Sequence, residues 1–202
     1  MELTAWLSLA SICVLGAMTP GPSLAVILKH TVAGGRSHGL CASVAHGLAI
    51  ALYALLTVLG MALIITNTPW LFNIIKYAGA AFLLFLAYQA LTAKAGNDTL
   101  TIHKETVTLW QSSREGFLIA FLNPKIALFF IALFSQFIDL DALWPQKMLM
   151  VATVSGIDTL WYCLISVVLS QSSMLASLRK NSHIVDKITG VALLLVTAKV
   201  LL

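Results

Sequence analysis

Runs of about twenty apolar residues recur along this 202-residue chain, and they limit its fold more than any other feature. A helix needs about 20 such residues to cross the hydrocarbon core of a bilayer. Six segments qualify or nearly do, at about 5–28, 39–65, 71–93, 116–138, 148–170 and 186–202. The runs are continuous rather than alternating, which excludes a closed barrel of strands. Only 10% of the residues are charged and 59% are hydrophobic, whereas a soluble domain carries about 25% charge. The sequence therefore predicts an all-α integral membrane protein of six transmembrane helices in lipid. It forms one domain over residues 1–202, because no linker is long enough for a separate soluble unit. The N-terminal stretch carries Glu2 and no cation ahead of its apolar run, unlike the n-region of a signal peptide, so it reads as a retained first helix.

The few charges report orientation. Lys29 and Arg36 lie between the first two runs, Lys94, Lys104 and Arg114 between the third and fourth, and Arg179, Lys180 and Lys187 between the last two. These eight cations fall on one side, and Lys147 lies on the other. The positive-inside rule then places both termini outside, in the periplasm. The net charge of +4 is not gathered into a basic patch, so no nucleic-acid partner is expected. Cys13, Cys41 and Cys163 lie in apolar runs with no metal or redox spacing. No cofactor or metal is expected; H-E-x-x-H does not occur, and the G-x-S-x-G match at Gly35-Arg36-Ser37-His38-Gly39 falls in the short polar segment between two apolar helical runs, not in the strand-to-helix turn that a nucleophile elbow needs.

The two halves of the chain resemble one another. "KYAGAAFLLFL" from Lys76 aligns with "KITGVALLLVT" from Lys187, and Gly47 and Tyr53 fall on Gly156 and Tyr162. The first and fourth runs both hold a proline break, at Pro20/Pro22 and Pro124. A repeat of three helices is odd-numbered, so the second copy is inverted relative to the first, as in many transporters. The expected repeats are about 1–93 and about 116–202, joined by a polar cytoplasmic loop over about 94–115. With these boundaries Pro20 comes late in its span and Pro124 early, so both breaks fall nearer the cytoplasmic face, where strict inversion would put them at opposite depths.

The breaks are where the chemistry gathers. Proline removes a helical hydrogen bond, and the backbone groups it frees are tolerated only against protein or a wet cavity. Thr19-Pro20-Gly21-Pro22-Ser23 opens the first helix and can aim a positive half-helix end at a carboxylate. Asn123-Pro124-Lys125 opens the fourth and adds a lysine about ten residues into its span. A cation at that depth costs a few kcal/mol on insertion scales. Asp158, at a similar depth in the fifth helix, is the natural counter-charge to Lys125. Paired it is charged, unpaired it is protonated, and alternation between the two states carries a proton. His46 in the second helix is a second candidate for moving protons, or simply a hydrogen-bonded core residue. The static alternatives are a proline kink that only serves packing and a Lys125–Asp158 pair that only locks two helices.

"TPGPS", the glycine-marked "GGRSHG", "KYAGAAFLLFLAYQAL", "GFLIAFLNPKIALFF" and the Asp158–Trp161 segment together resemble the LysE/RhtB family of amino-acid exporters, over essentially the whole chain. The first and fourth of these motifs are the specific ones. The resemblance implies a six-helix protein of the bacterial inner membrane that exports amino acids, driven by the proton-motive force. It carries over onto Pro20, Gly21, Pro22, Asn123, Pro124, Lys125 and Asp158. Ala45 and Ala49 stand around His46-Gly47 where the family often has further glycines, so no substrate subtype carries over. Joined to the residues, the resemblance yields one mechanism. Lys125 and the half-helix ends, with Ser23, hold a substrate carboxylate, and Asp158 holds its ammonium and exchanges it for a proton in an antiport. The rival is a non-transporting structural or assembly subunit, which would not need two proline breaks beside midplane charges. The particular amino acid, the coupling ion and the oligomeric state, a homo-oligomer included, are not read from the sequence.

Overall fold

The computed structural model describes residues 2–19, 21–92, 107–138, 143–168, 184, 187–195 and 197–198. Among them there is no strand. The helices are α1 (Leu3–Met18), α2 (Pro22–Gly34), α3 (Arg36–Asn67), α4 (Pro69–Thr92), α5 (Leu109–Phe121), α6 (Pro124–Phe137) and α7 (Trp144–Val168). Residues 187–195, here α8, are also helical.

Within α3, α4 and α7 lie three stretches long and apolar enough to cross a membrane, namely Arg36–Met61, Trp70–Thr92 and Trp144–Val168. Two further candidates are bent pairs: α1 with α2 at 58° and α5 with α6 at 54°. The chain is thus an all-α membrane protein with two broken helices, in the two places where the prolines predict them. The sixth predicted span, 186–202, is helical at 187–195 and 197–198, and its remaining residues lie outside the described ones.

The fourth span starts earlier than its apolar run. The predicted loop over 94–115 gives way to helix at Leu109. The Thr108 side chain caps that helix by accepting from the Gln111 backbone N–H at 3.1 Å, which satisfies one of the donors a helix start leaves open. This earlier start removes the mismatch in depth between the two breaks. The first broken helix has halves of 16 and 13 residues, and the fourth has halves of 13 and 14. Each break now falls near the middle of its helix.

The broken helices pack antiparallel. α2 touches α5 and α1 touches α6, so the first half of each meets the second half of the other. Between them α3 packs on α5 and on α7. The approach of α5 to α3 depends on Gly116, where an added Cβ would stand 2.3 Å from the Ala42 carbonyl oxygen. Small residues let membrane helices come this close, and van der Waals contact takes the place of a hydrophobic drive that lipid cannot supply. The main core gathers around Leu9, Ala54, Leu83, Leu133 and Phe134, all fully buried.

Candidate functional site

The breaks end in proline chemistry. Pro22 and Pro124 each occupy the first turn of the half-helix that follows, where a fixed φ and a missing N–H cost nothing. Asn123 caps α6 by accepting from the Lys125 backbone N–H through its Oδ1 at 3.0 Å. Gly21 is the N-cap of α2 and makes no side-chain cap bond. Hydroxyls meet carbonyls at the other half-helix ends. Tyr53 donates to the Phe121 carbonyl at the end of α5. Thr19 and Thr189 both donate to the Leu15 carbonyl near the end of α1, at 2.9 and 3.3 Å.

Where the two breaks meet, the structure holds a cavity of about 360 Å³. Its polar lining includes Ser23, His46, Asn123, Lys125, Asp158 and Tyr162. Its apolar wall includes Ile50, Leu86, Ile126, Phe129, Phe130 and Val154. Cys13, Gly16, Ala17, Thr19, Gly21 and Pro22 line it on the side of the first broken helix. The N-terminal ends of α2 and α6 both border this space, and each brings the positive end of a helix dipole.

Of the residues singled out from sequence, Gly21, Pro22, Ser23, Asn123, Lys125, Asp158 and His46 line this one cavity. Pro124 builds the break without lining the cavity. Pro20 lies outside the described residues.

The expected pairing of Asp158 with Lys125 is corrected. Asp158 Oδ2 lies 2.7 Å from His46 Nδ1, and Lys125 forms no ion pair with it. The reason is the bend. It places Lys125 in the first turn of α6, exposed along the cavity, while Asp158 faces α3 across the α3–α7 seam. His46 is 1% exposed and Asp158 13%, so the pair is nearly dry but reaches the cavity through the carboxylate. With an ionised Asp158, the bond fixes the imidazole tautomer: Nδ1–H donates and Nε2 keeps its lone pair. That Nε2 is buried without a hydrogen-bond partner among the described residues. Tyr162 stands edge-on to the imidazole at 4.8 Å between ring centres.

Tyr162 and Tyr53 entered the sequence reading only as markers of the repeat, not as site residues. Tyr162 sits four residues after Asp158, on the same helix face, and that spacing would have marked it. A second cluster escaped the sequence reading. Glu115 Oε2 accepts from Lys29 Nζ at 3.1 Å and lies 3.0 Å from His30 Nε2, while its Oε1 accepts from Gln111 Nε2 at 3.1 Å. His30 Nδ1 lies 3.0 Å from Ser112 Oγ, and both residues are 0% exposed. This cluster ties α2 to α5 outside the cavity.

The profile of the LysE type translocator family matches residues 14–202. Leucine efflux proteins of Salmonella choleraesuis and Salmonella typhimurium are 34% identical over 129 residues, 62% of this chain and 59% of theirs. The leucine efflux protein of Klebsiella pneumoniae is 29% identical over 160 residues, 77% of this chain and 73% of its own length. The matched part of the chain thus spans about three fifths of the length of the Salmonella relatives, at 59%. No solved structure matches the chain.

Proposed function

Because the chain belongs to the LysE-type translocator family, we propose that it exports an amino acid with an apolar side chain, leucine or one close to it, across the bacterial inner membrane in exchange for protons. One observation carries the reading: a cavity sized for a single small molecule, at the meeting point of two broken helices, lined by groups of both charges and by apolar side chains. A zwitterion needs both signs of partner. Lys125 and the dipole ends of α2 and α6, helped by Ser23 and Asn123, attract its carboxylate. Asp158 attracts its ammonium. The apolar wall takes the side chain, which fits the names of the Salmonella and Klebsiella relatives.

Asp158 and His46 supply the proton step. A substrate ammonium that docks on Asp158 competes with His46 for the carboxylate. A proton arriving at the pair, on Nε2 or on the carboxylate, displaces the ammonium and resets the site. Gly21, Pro22 and Pro124 hold the backbone open so that these polar groups are tolerated within the membrane. The antiparallel packing of the broken helices supports two inverted repeats, about 1–93 and about 116–202, within one transport domain; the loop cations are what favour periplasmic termini.

Counterflow tests the reading. Purified protein in liposomes loaded with unlabelled leucine should accumulate labelled leucine, unchanged chemically, and an inside-acid or inside-alkaline pH step should drive net movement. Asp158→Asn should keep exchange and lose the pH-driven accumulation. Intact pH-driven accumulation in that variant would remove the proton from Asp158, and a protein that exchanges no amino acid would end the transport reading.

A further inference from the structure

The charged groups of the cavity suit any amino acid, so discrimination between side chains has to come from the apolar lining. Gly16 stands in the last turn of α1 and Phe129 in the second turn of α6, and both line the cavity. A Cβ built on Gly16 would stand 3.6 Å from Phe129 Cζ and 4.0 Å from its Cε1. Here the ring tip faces bare backbone, in ordinary contact distance of whatever side chain position 16 carries. Ala17, beside Gly16, and Cys13, one turn earlier, are also small, so this part of α1 gives the cavity little bulk of its own. The thickness of the wall is therefore set by the ring. That ring is braced: Phe129 packs edge-to-face on Phe130 at 5.7 Å, and Phe130 does the same on Phe134 at 5.6 Å. Phe130 and Phe134 are 5% and 0% exposed, so the stack is anchored in the core.

We infer that Gly16 and Phe129 together set the length of the apolar side chain that the cavity accepts. The inference rests on the amino-acid reading above and deepens it. A missing or extra methylene in an apolar pocket changes preference by about 10–200-fold, so changes of several carbons at this contact should be plainly measurable. Phe129→Ala removes the ring and lengthens the pocket. Gly16→Val adds bulk against the ring and shortens it. The two changes have opposite signs, which a general loss of packing cannot imitate.

The test is counterflow of labelled leucine into liposomes containing the full chain, with unlabelled alanine, leucine and phenylalanine as competitors. In Phe129→Ala, competition by phenylalanine relative to leucine should rise about tenfold or more. In Gly16→Val, competition by alanine relative to leucine should rise by a similar factor. Phe129→Leu keeps apolar bulk against Phe130 and covers the case in which Phe129→Ala fails to fold; it should shift toward phenylalanine less strongly. Folded variants that slow all three amino acids equally, or leave the ratios unchanged while the unaltered protein exchanges leucine, overturn this inference alone. An unaltered protein that exchanges none of the three overturns the reading beneath it as well.

Discussion

The His46–Asp158 contact makes the sharpest energetic prediction, because the sequence points to a different partner for the same carboxylate. The perturbation is a pair of double-mutant cycles, His46→Leu with Asp158→Leu and Lys125→Met with Asp158→Leu. In the first cycle the two groups are 2.7 Å apart and 1% and 13% exposed. Breaking a buried pair from one side costs about 3–5 kcal/mol. The carboxylate's contact with the cavity lets water soften that penalty, so His46→Leu should cost about 3 kcal/mol, the lower end. Asp158→Leu leaves a neutral imidazole with an unmet donor, about 1–3 kcal/mol. The double variant leaves neither group stranded, so it should fall short of the sum by about 1.5–3 kcal/mol, the worth of a hydrogen bond to a charged group. In the second cycle there is no ion pair to lose, and the two effects should add to within about 0.5 kcal/mol. Reversible denaturant unfolding in detergent, followed by tryptophan fluorescence, reads both cycles. A coupling between Lys125 and Asp158 as large as that between His46 and Asp158 would refute the assignment of the pair.

Three other outcomes are expected. In a background lacking Cys13, Cys41 and Cys163, Ser37→Cys should resist an impermeant thiol reagent in intact cells and Leu143→Cys should react; both positions are exposed, so the reverse pattern means the reverse topology. Pro124→Ala restores a backbone donor at the break and should straighten α5 into α6, leaving membrane abundance near normal and counterflow at least tenfold slower; full counterflow would make the break a packing feature only. Glu115→Gln removes the charge that Lys29 and His30 share, and because Glu115 and Lys29 are 32% and 40% exposed it should cost no more than about 1 kcal/mol, while a cysteine placed at the cavity residue Ser23 should label faster from the Ser37 side.

What could be read from sequence was whatever depends on one residue in its own helix. Proline breaks a helix wherever it falls in the middle, so Pro22 and Pro124 were legible. So was a lone carboxylate in an apolar run, which is why Asp158 stood out. Its partner was not legible, because partnership depends on which helix faces which and at what register. Lys125 and Asp158 match in depth along their own spans, but the chain bends by 54° at Asn123, and α6 packs chiefly on α4 while Asp158's helix packs on α3. The start of α5 was missed for the converse reason. Gln111, Ser112 and Glu115 look like loop residues; in the helix Lys29 and His30 of α2 satisfy Glu115, His30 also meets Ser112, and Gln111 donates to Glu115. Thr108-Leu109-Trp110-Gln111 did carry a local signal, the S/T-x-x-E/Q pattern of a capping box. Hydropathy outweighed it.

The distribution of polar ties around the cavity is uneven, and the unevenness bears on a transport cycle. On the side where α2 ends and α3 and α5 begin, the Glu115 cluster joins α2 to α5. Ser166 Oγ meets Ser43 at 3.1 Å and accepts from Thr31 Oγ1 at 3.5 Å, joining α7 to α3 and α2. His38 Nε2 lies 3.0 Å from the Val107 carbonyl oxygen, just ahead of α5. On the side of α1 and the end of α6, the inter-helix bonds among described residues are fewer: Trp6 Nε1 donates to Thr153 at 2.9 Å, and Gln136 donates to the Lys76 carbonyl at 3.1 Å. Alternating access needs two arrangements of similar free energy, each closed on one side. The bonds on the α2–α5 side are the ones that the opposite arrangement has to exchange for water. Most of them are exposed enough, or hydroxyl-based enough, for that exchange to cost little per bond. His30 is the exception, since it is fully buried and bonded through both ring nitrogens. The largest single cost of opening that side therefore falls on the His30–Glu115–Ser112 contact.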